Sequence, residues 1–208
     1  GHVGFLAQIG KPSTATIIGA IKNKKYKTEK RMTLSYQVQR EEKIVAHGWA
    51  LNEVTIERST EAMIELFVQV DHRPLSRWGC DGLICSTPTG STAYAFSAGG
   101  PVLWPAVDAL VVLPISAHAL FSRPLVVNPD SMLAVEVLKR SSGYGVLWCD
   151  GRRTWELPPG ARVEVRKSEK PVLLARLRQS TFTDRLVRKF SLPVAGWRGP
   201  DDNSANRG

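Results

Sequence analysis

The sequence is poor in cysteine and histidine and has no long apolar run. Three cysteines, Cys80, Cys85 and Cys149, stand among 208 residues without CxxC spacing. That excludes a disulfide framework and a zinc site of the usual kind, and it suits a reducing, cytoplasmic compartment. The four histidines, His2, His47, His72 and His118, show no metal-ligand spacing, so no protein-held metal is expected. No stretch of about 20 uninterrupted apolar residues is present, which excludes a membrane-spanning helix. The segment Gly1–Lys11 lacks a basic start and an apolar core, so no secretory signal is expected. The pattern G-x-S-x-G is also missing. A hydrolase triad drawn from Ser91, His118 and Asp150 is therefore disfavoured, and His118 is expected to be a packed or hydrogen-bonded histidine.

Hydrophobic residues make up 43% and charged residues 23%, which excludes a chain disordered throughout. A core of this length buries about 70% of the unfolded surface. The net charge is +9. It favours anionic partners, namely nucleotides, polyphosphate, nucleic acid or anionic lipid, without choosing among them. Five lysines fall between Lys22 and Lys30, and they read as a solvated helix end and loop.

Along the chain, Gly1–Ala7 reads as the end of a strand and a following loop, so an upstream segment is expected. Residues 12–23 read as a helix, with Ile17, Ile18 and Ile21 on one side. Alternation over 26–40 places Met32, Leu34, Tyr36 and Val38 on one face of a strand. A second strand is expected over 44–56 and a third over 63–70. Short apolar strands follow at 75–78, 82–86, 110–113, 125–127, 133–138, 145–149 and 163–165, each bounded by turn residues. So many short strands indicate a sandwich or layered β domain. Phe182, Leu186, Val187 and Phe190 mark an amphipathic helix. The tail 199–208 reads as disordered. The six tryptophans are spread evenly and read mainly as core and interface.

One stretch differs from the rest. Residues 80–101 run from a buried strand into Ser86-Thr87-Pro88-Thr89-Gly90-Ser91-Thr92, then a short helix over 91–98, then Gly99-Gly100-Pro101. Hydroxyls can both donate and accept, as ribose and adenine edges require. A helix N-terminus suits anions, and Tyr94 offers a flat face for a purine. The alternative is plainer: Ser91 or Thr92 caps a helix and Tyr94 is core.

Asp81-Gly82 followed by Ser86–Tyr94 and Ser97-Ala98-Gly99-Gly100-Pro101 resembles the signature of the NAD kinases. Gly1–Ala7 resembles the family's G-x-x-G-F-L turn, and Asn52-Glu53 its Asn-Glu motif. Arg123-Pro124-Leu125 and Asp150-Gly151 resemble later motifs. The likeness covers residues 1 to about 198 and is nearest the actinobacterial members, notably over Phe182–Phe190.

The resemblance implies a mainly β, α+β fold, the β-sandwich-like C-terminal domain of an NAD kinase. Residues 1–23 would be a remnant of the N-terminal α/β domain, 24–178 the NAD-binding domain, and 179–198 a helix returning to the N-terminal domain. It implies transfer of a phosphoryl group to the 2′-hydroxyl of the adenosine ribose of NAD, giving NADP, from ATP or polyphosphate with Mg²⁺ (EC 2.7.1.23). Asn52 and Glu53 would contact the NAD ribose and adenine. Thr92, Ala93, Tyr94, Ala95, Phe96 and Ser97 would form the cradle. Asp81 would reach NAD across the interface of a homodimer or homotetramer, and Asp150 and Arg152 would line the site.

The family's Gly-Gly-Asp-Gly loop, with its general-base aspartate, falls upstream of Gly1. The catalytic residue is therefore not assigned within these residues. Where many relatives have Arg two positions before Asp81, this chain has Gly79, and Arg77 is the candidate substitute. The alternative to a kinase is a catalytically incompetent NAD- or NADP-binding module. A nucleic-acid binder rests on charge alone and ranks last, so neither nucleic acid nor membrane is expected as partner.

Overall fold

The computed structural model describes residues 12–177 and 180–194. The chain divides into two compact units, one of residues 29–174 and one of 1–28 with 175–208. Helix α1 (Thr14–Lys22) precedes strands β1 (Lys27–Arg31), β2 (Leu34–Arg40), β3 (Lys43–Ala50) and β4 (Glu53–Arg58). Then come β5 (Ile64–Val70), β6 (Arg73–Cys80), β7 (Gly82–Ser86) and the short helix α2 (Tyr94–Ser97). Strands β8 (Leu110–Ile115), β9 (Leu125–Val127), β10 (Leu133–Val137), β11 (Gly145–Cys149) and β12 (Arg153–Leu157) follow. The chain continues through β13 (Arg162–Lys167), β14 (Val172–Arg176) and helix α3 (Phe182–Phe190).

The larger unit is a sandwich of two six-stranded antiparallel sheets. Sheet I has the order β3-β2-β13-β10-β5-β6, and sheet II the order β12-β11-β4-β7-β8-β9. Alternation sets the inner face of sheet I: Leu34, Tyr36 and Val38 are buried, as are Leu66, Val68, Leu133, Val135, Val163 and Val165. They form one cluster with Val54, Ile56, Leu83, Cys85, Leu110, Val112, Leu147 and Cys149 of sheet II. Each fully buried aliphatic side chain contributes roughly 1.5–3 kcal/mol. The β-sandwich expectation holds.

Sheet II differs from sheet I in being covered on both sides at its centre. Every residue of β7 is buried, and so are Leu110–Leu113 of β8. Ile84, Val111 and Leu113 point outward and form a second small core with Ala95 of α2. That explains why β7 reads as a continuous apolar run rather than an alternation.

Several expectations need correction. The strand expected over 44–56 is two strands: the chain leaves sheet I after Ala50 and enters sheet II at Glu53. The alternation over 26–40 is likewise broken between β1 and β2. Strand β12 went unforeseen because its exposed Arg153, Thr154 and Glu156 hide the pattern, and β14 because its apolar run Val172–Ala175 shows no alternation although Leu173 and Ala175 are exposed. Helix α1 forms as expected, with Ser13 accepting a hydrogen bond from the Thr16 amide at 3.2 Å, but none of its residues is buried. Of the described tryptophans only Trp78 is buried; Trp49, Trp104, Trp148 and Trp155 are exposed. His118 is exposed, its backbone amide bonded to the Gly79 carbonyl at 2.9 Å. The expected turn at Gly1–Ala7 and the tail at 199–208 lie outside the described residues.

Ile84 is fully buried beneath α2. Ile84→Ala is expected to cost about 2–5 kcal/mol in denaturant unfolding. A loss below about 1 kcal/mol would show that α2 does not seal this face.

Candidate functional site

A chain that passes from one sheet to another gives up ladder hydrogen bonds, and its backbone groups need other partners. At Leu51-Asn52 all four are satisfied from elsewhere. The Leu51 carbonyl accepts from Thr87 Oγ1 at 2.7 Å. The Asn52 carbonyl accepts from the Thr87 amide at 2.9 Å, from Thr87 Oγ1 at 3.2 Å and from Ser86 Oγ at 3.3 Å. The Leu51 amide donates to both oxygens of Asp150 at 3.0 Å, and the Asn52 amide donates to Asp150 Oδ1 at 2.7 Å.

The segment after β7 folds over this crossing. The Gly90 amide donates to Thr87 Oγ1 at 3.1 Å. A Cβ at Gly90 would stand 2.1 Å from the Asn52 carbonyl oxygen, so only glycine admits the approach. Ser91 Oγ donates to the Pro88 carbonyl at 2.7 Å and accepts from the Leu103 amide at 2.9 Å. Neither Ser91 nor Thr92 caps α2: the N-cap position is Ala93, with no side-chain bond. Gly90–Thr92 form a 3-10 turn instead. With four residues α2 carries little macrodipole, so the anion site expected of a helix N-terminus has little to rest on. Thr92 and Ala95 are buried, Ala93 is half-buried, and Tyr94, Phe96 and Ser97 are exposed.

Asp150-Gly151 sits in the β11–β12 hairpin. Both residues have positive φ, 51° and 63°, and the turn closes from the Arg152 amide to the Cys149 carbonyl at 3.1 Å. An Asp-Gly pair is the ordinary composition of such a hairpin turn. The Asp150 carboxylate does more than turn the chain, because it also binds the crossing and pairs with Arg153 Nη2 at 3.0 Å. Arg153 in turn lies over the Trp49 ring, 5.1 Å from its centroid. Arg152 is exposed at the hairpin tip.

The outer face of β4 is acidic. Glu53 and Glu57 flank Thr55, whose hydroxyl donates to Glu57 Oε1 at 2.6 Å. Glu53 is 7% exposed, and its Oε2 atom is buried without a hydrogen-bond partner. Burial, reinforced by the negative charge of Asp150, pushes its carboxyl up to about 7. Asp81 follows β6 and pairs with Arg58 Nε at 2.7 Å, both side chains being about a third exposed. Asp81, Glu57, Glu61, Arg58 and Tyr94 line an open cavity of about 540 Å³. On a chain of net charge +9 this cavity carries three acids and one base. The Tyr94 hydroxyl is raised above its ordinary value, first by burial, then by Glu57, Asp81 and Glu53.

The structure thus joins Asn52, Glu53 and Asp150 at the crossing, and Asp81 and Tyr94 at the cavity. Arg77 does not stand in for an arginine beside Asp81: it lies over the Phe67 ring at 4.9 Å, on sheet I. Arg58 takes that place. Arg58, Arg153 and the buried hydroxyl of Thr87 were missed as site residues. Arg58 meets Asp81 from a distant part of the chain and leaves no local spacing, whereas Arg153 stands three residues after Asp150 and Thr87 lies within the hydroxyl-rich run, so these two carried a signal. The three cysteines are free and buried, and burial pushes the Cys85 thiol up to about 12, so none is a nucleophile.

The family model described as the ATP-NAD kinase C-terminal domain matches residues 51–177. An NAD kinase of Leifsonia xyli is 59% identical over 97% of this chain and 66% of its own length. An NAD kinase 2 of Streptomyces coelicolor is 57% identical over 96% of this chain and 66% of its own. The chain therefore spans just under two thirds of these curated relatives. Among solved structures, the yeast NADH kinase complexed with NADH aligns with a TM-score of 0.80 at 20% identity, over 88% of this chain and 55% of that one. An NAD kinase from Archaeoglobus fulgidus in complex with ATP aligns with a TM-score of 0.65 at 25% identity, over 85% and 64%.

Glu53→Gln replaces a carboxyl whose proton affinity rises on folding from 4.5 to about 7. A raised carboxyl contributes stability that is fully present below the unfolded value and lost as pH rises through the folded one. The variant is therefore expected to gain on the parent between pH 4 and pH 8, by on the order of 3 kcal/mol. An equal difference at both pH values in urea unfolding would contradict the placement of Glu53.

Proposed function

The chain belongs to the NAD kinase family, and from that premise we propose that it carries the NAD-binding part of an NAD kinase. The whole protein would phosphorylate the 2′-hydroxyl of the adenosine ribose of NAD, with ATP or polyphosphate as donor, and release NADP. The observation that carries this reading is the meeting of Asn52-Glu53, the signature loop and Asp150-Gly151 in one hydrogen-bonded crossing. Three sequence motifs far apart in the chain thereby serve one site.

The residues present suit a polyhydroxylated ligand. Glu53, with one carboxyl oxygen left unpartnered, would contact the NAD ribose and adenine. The exposed Tyr94 ring offers a face for adenine. Thr92, Ala93, Ala95, Phe96 and Ser97 shape the turn beside it, with Ala95 holding α2 to the sheet. Asp81 lines the same cavity as Tyr94, where it would serve a neighbouring subunit of a homodimer or homotetramer. Arg152 would line the rim.

Phosphoryl transfer needs a base and charge neutralisation. Both Asp-Gly carboxylates are engaged, Asp81 with Arg58 and Asp150 with two amides and Arg153. Neither is preceded by Gly-Gly. Among the described residues no three His, Cys, Asp or Glu side chains could hold a metal. They do not supply a site for Mg²⁺, which would arrive with the phosphoryl donor. The division at residues 24 and 178 into remnant, NAD-binding domain and returning helix belongs to the same proposal, as does a cytoplasmic location. Among the described residues no helix is long and apolar enough to cross a membrane.

Calorimetric titration with NAD, beside a coupled assay for NADP, tests the reading. This chain is expected to bind NAD, and Tyr94→Ala and Asn52→Ala are each expected to weaken binding about tenfold or more. Unchanged affinity in both variants contradicts the cradle. Binding without turnover from this chain, with turnover from a longer protein, fits a kinase. Binding without turnover from both favours a non-catalytic NAD- or NADP-binding module.

A further inference from the structure

Asp150 has nothing left to offer a ligand. Its two oxygens receive the Leu51 amide, the Asn52 amide and Arg153, in contacts of 2.7 to 3.0 Å. Its own amide donates to the Glu53 carbonyl at 3.1 Å. The residue therefore grips positions 51, 52 and 53 in succession from a hairpin turn that aspartate tolerates at positive φ.

We propose that Asp150 is a positioning residue for the nucleotide site: its carboxylate fixes the Leu51–Glu53 crossing through backbone amides and thereby sets where the Glu53 carboxyl stands for the ligand. This rests on the reading of Asn52-Glu53 as part of the NAD site. Glu53 is buried beside Asp150 with one oxygen unpartnered. The negative charge of Asp150 adds to burial in favouring a proton on Glu53.

Among the described residues the other charged or titratable groups on this face are few. Arg153 comes with Asp150 from the hairpin, Tyr94 from α2, and Glu57 from Glu53's own strand. Across the ladder, β7 presents the neutral Ser86 opposite Glu53. Only burial and Asp150 act appreciably on Glu53, which is raised to about 7. A ribose hydroxyl donates to the ionised carboxylate, so binding expels the proton. NAD is expected to bind about tenfold more tightly at pH 8 than at pH 6, as one linked proton with a midpoint near 7 requires.

Carboxyl-carbon NMR titration of Glu53, without ligand, and NAD calorimetry at pH 6 and pH 8 test this on the parent, Asp150→Asn and Arg153→Ala. In Asp150→Asn the Glu53 midpoint is expected to fall toward the ordinary carboxylate range and the pH dependence of NAD binding to flatten. In Arg153→Ala, which leaves the Asp150 charge less neutralised, the midpoint is expected to rise. Opposite shifts are a signature that mere loosening of the turn would not produce. A Glu53 midpoint unmoved in Arg153→Ala and in any folded Asp150→Asn overturns the proposal. So does an affinity loss in Asp150→Asn that is equal at both pH values. Should the parent fail to bind NAD, the reading of the site fails, while the NMR titration still decides whether Asp150 governs Glu53.

Discussion

The structure turns on a change of sheet. Between Ala50 and Glu53 the chain leaves one layer of the sandwich and joins the other, and two residues must cross without a ladder. Their four backbone groups are met by one threonine, one serine and one aspartate from two other places in the chain. Each neutral bond is worth about 0.5–1.5 kcal/mol and those to Asp150 about 1.5–3. Leaving a buried amide unmet would cost as much again. The crossing can therefore form only when β7 and the β11–β12 hairpin are in place.

That dependence ties the site to the fold. The sandwich core supplies most of the stability, and its residues would serve many functions equally well. The crossing decides where Glu53 sits, with a buried oxygen and Asp150 beside it, and it sets Gly90 close against the Asn52 carbonyl. The outcome is an acidic, hydroxyl-accepting face on a basic protein. The net charge alone pointed to anions, whereas the cavity and the crossing are lined by carboxylates.

Much of this was legible in the sequence. Leu34, Tyr36 and Val38 alternate because only one face of sheet I is buried, and the β7 run is apolar throughout because both of its faces are covered. The hydroxyl-rich loop, Asn52-Glu53 and Asp150-Gly151 were visible as separate motifs. Their union was not visible, because a strand that breaks at Leu51-Asn52 keeps its apolar pattern on both sides and reads as one strand. Arg58 was missed for a related reason, its partner Asp81 being distant in the chain, whereas Arg153 stands three residues after Asp150 and that spacing was legible. The tryptophans, read as core and interface, could not be sorted between the two, because hydrophobicity does not distinguish a core residue such as Trp78 from those on an outer face.

Hydrogen exchange at the amides of Leu51, Asn52, Thr87 and Gly90 tests the central claim most directly. Held by Asp150, by the Asn52 carbonyl and by Thr87, these amides are expected to exchange only with global unfolding, at the rate of Leu83 and Ile84 in β7. Exchange at the rate of an exposed loop, independent of β7, would contradict a crossing locked by three motifs.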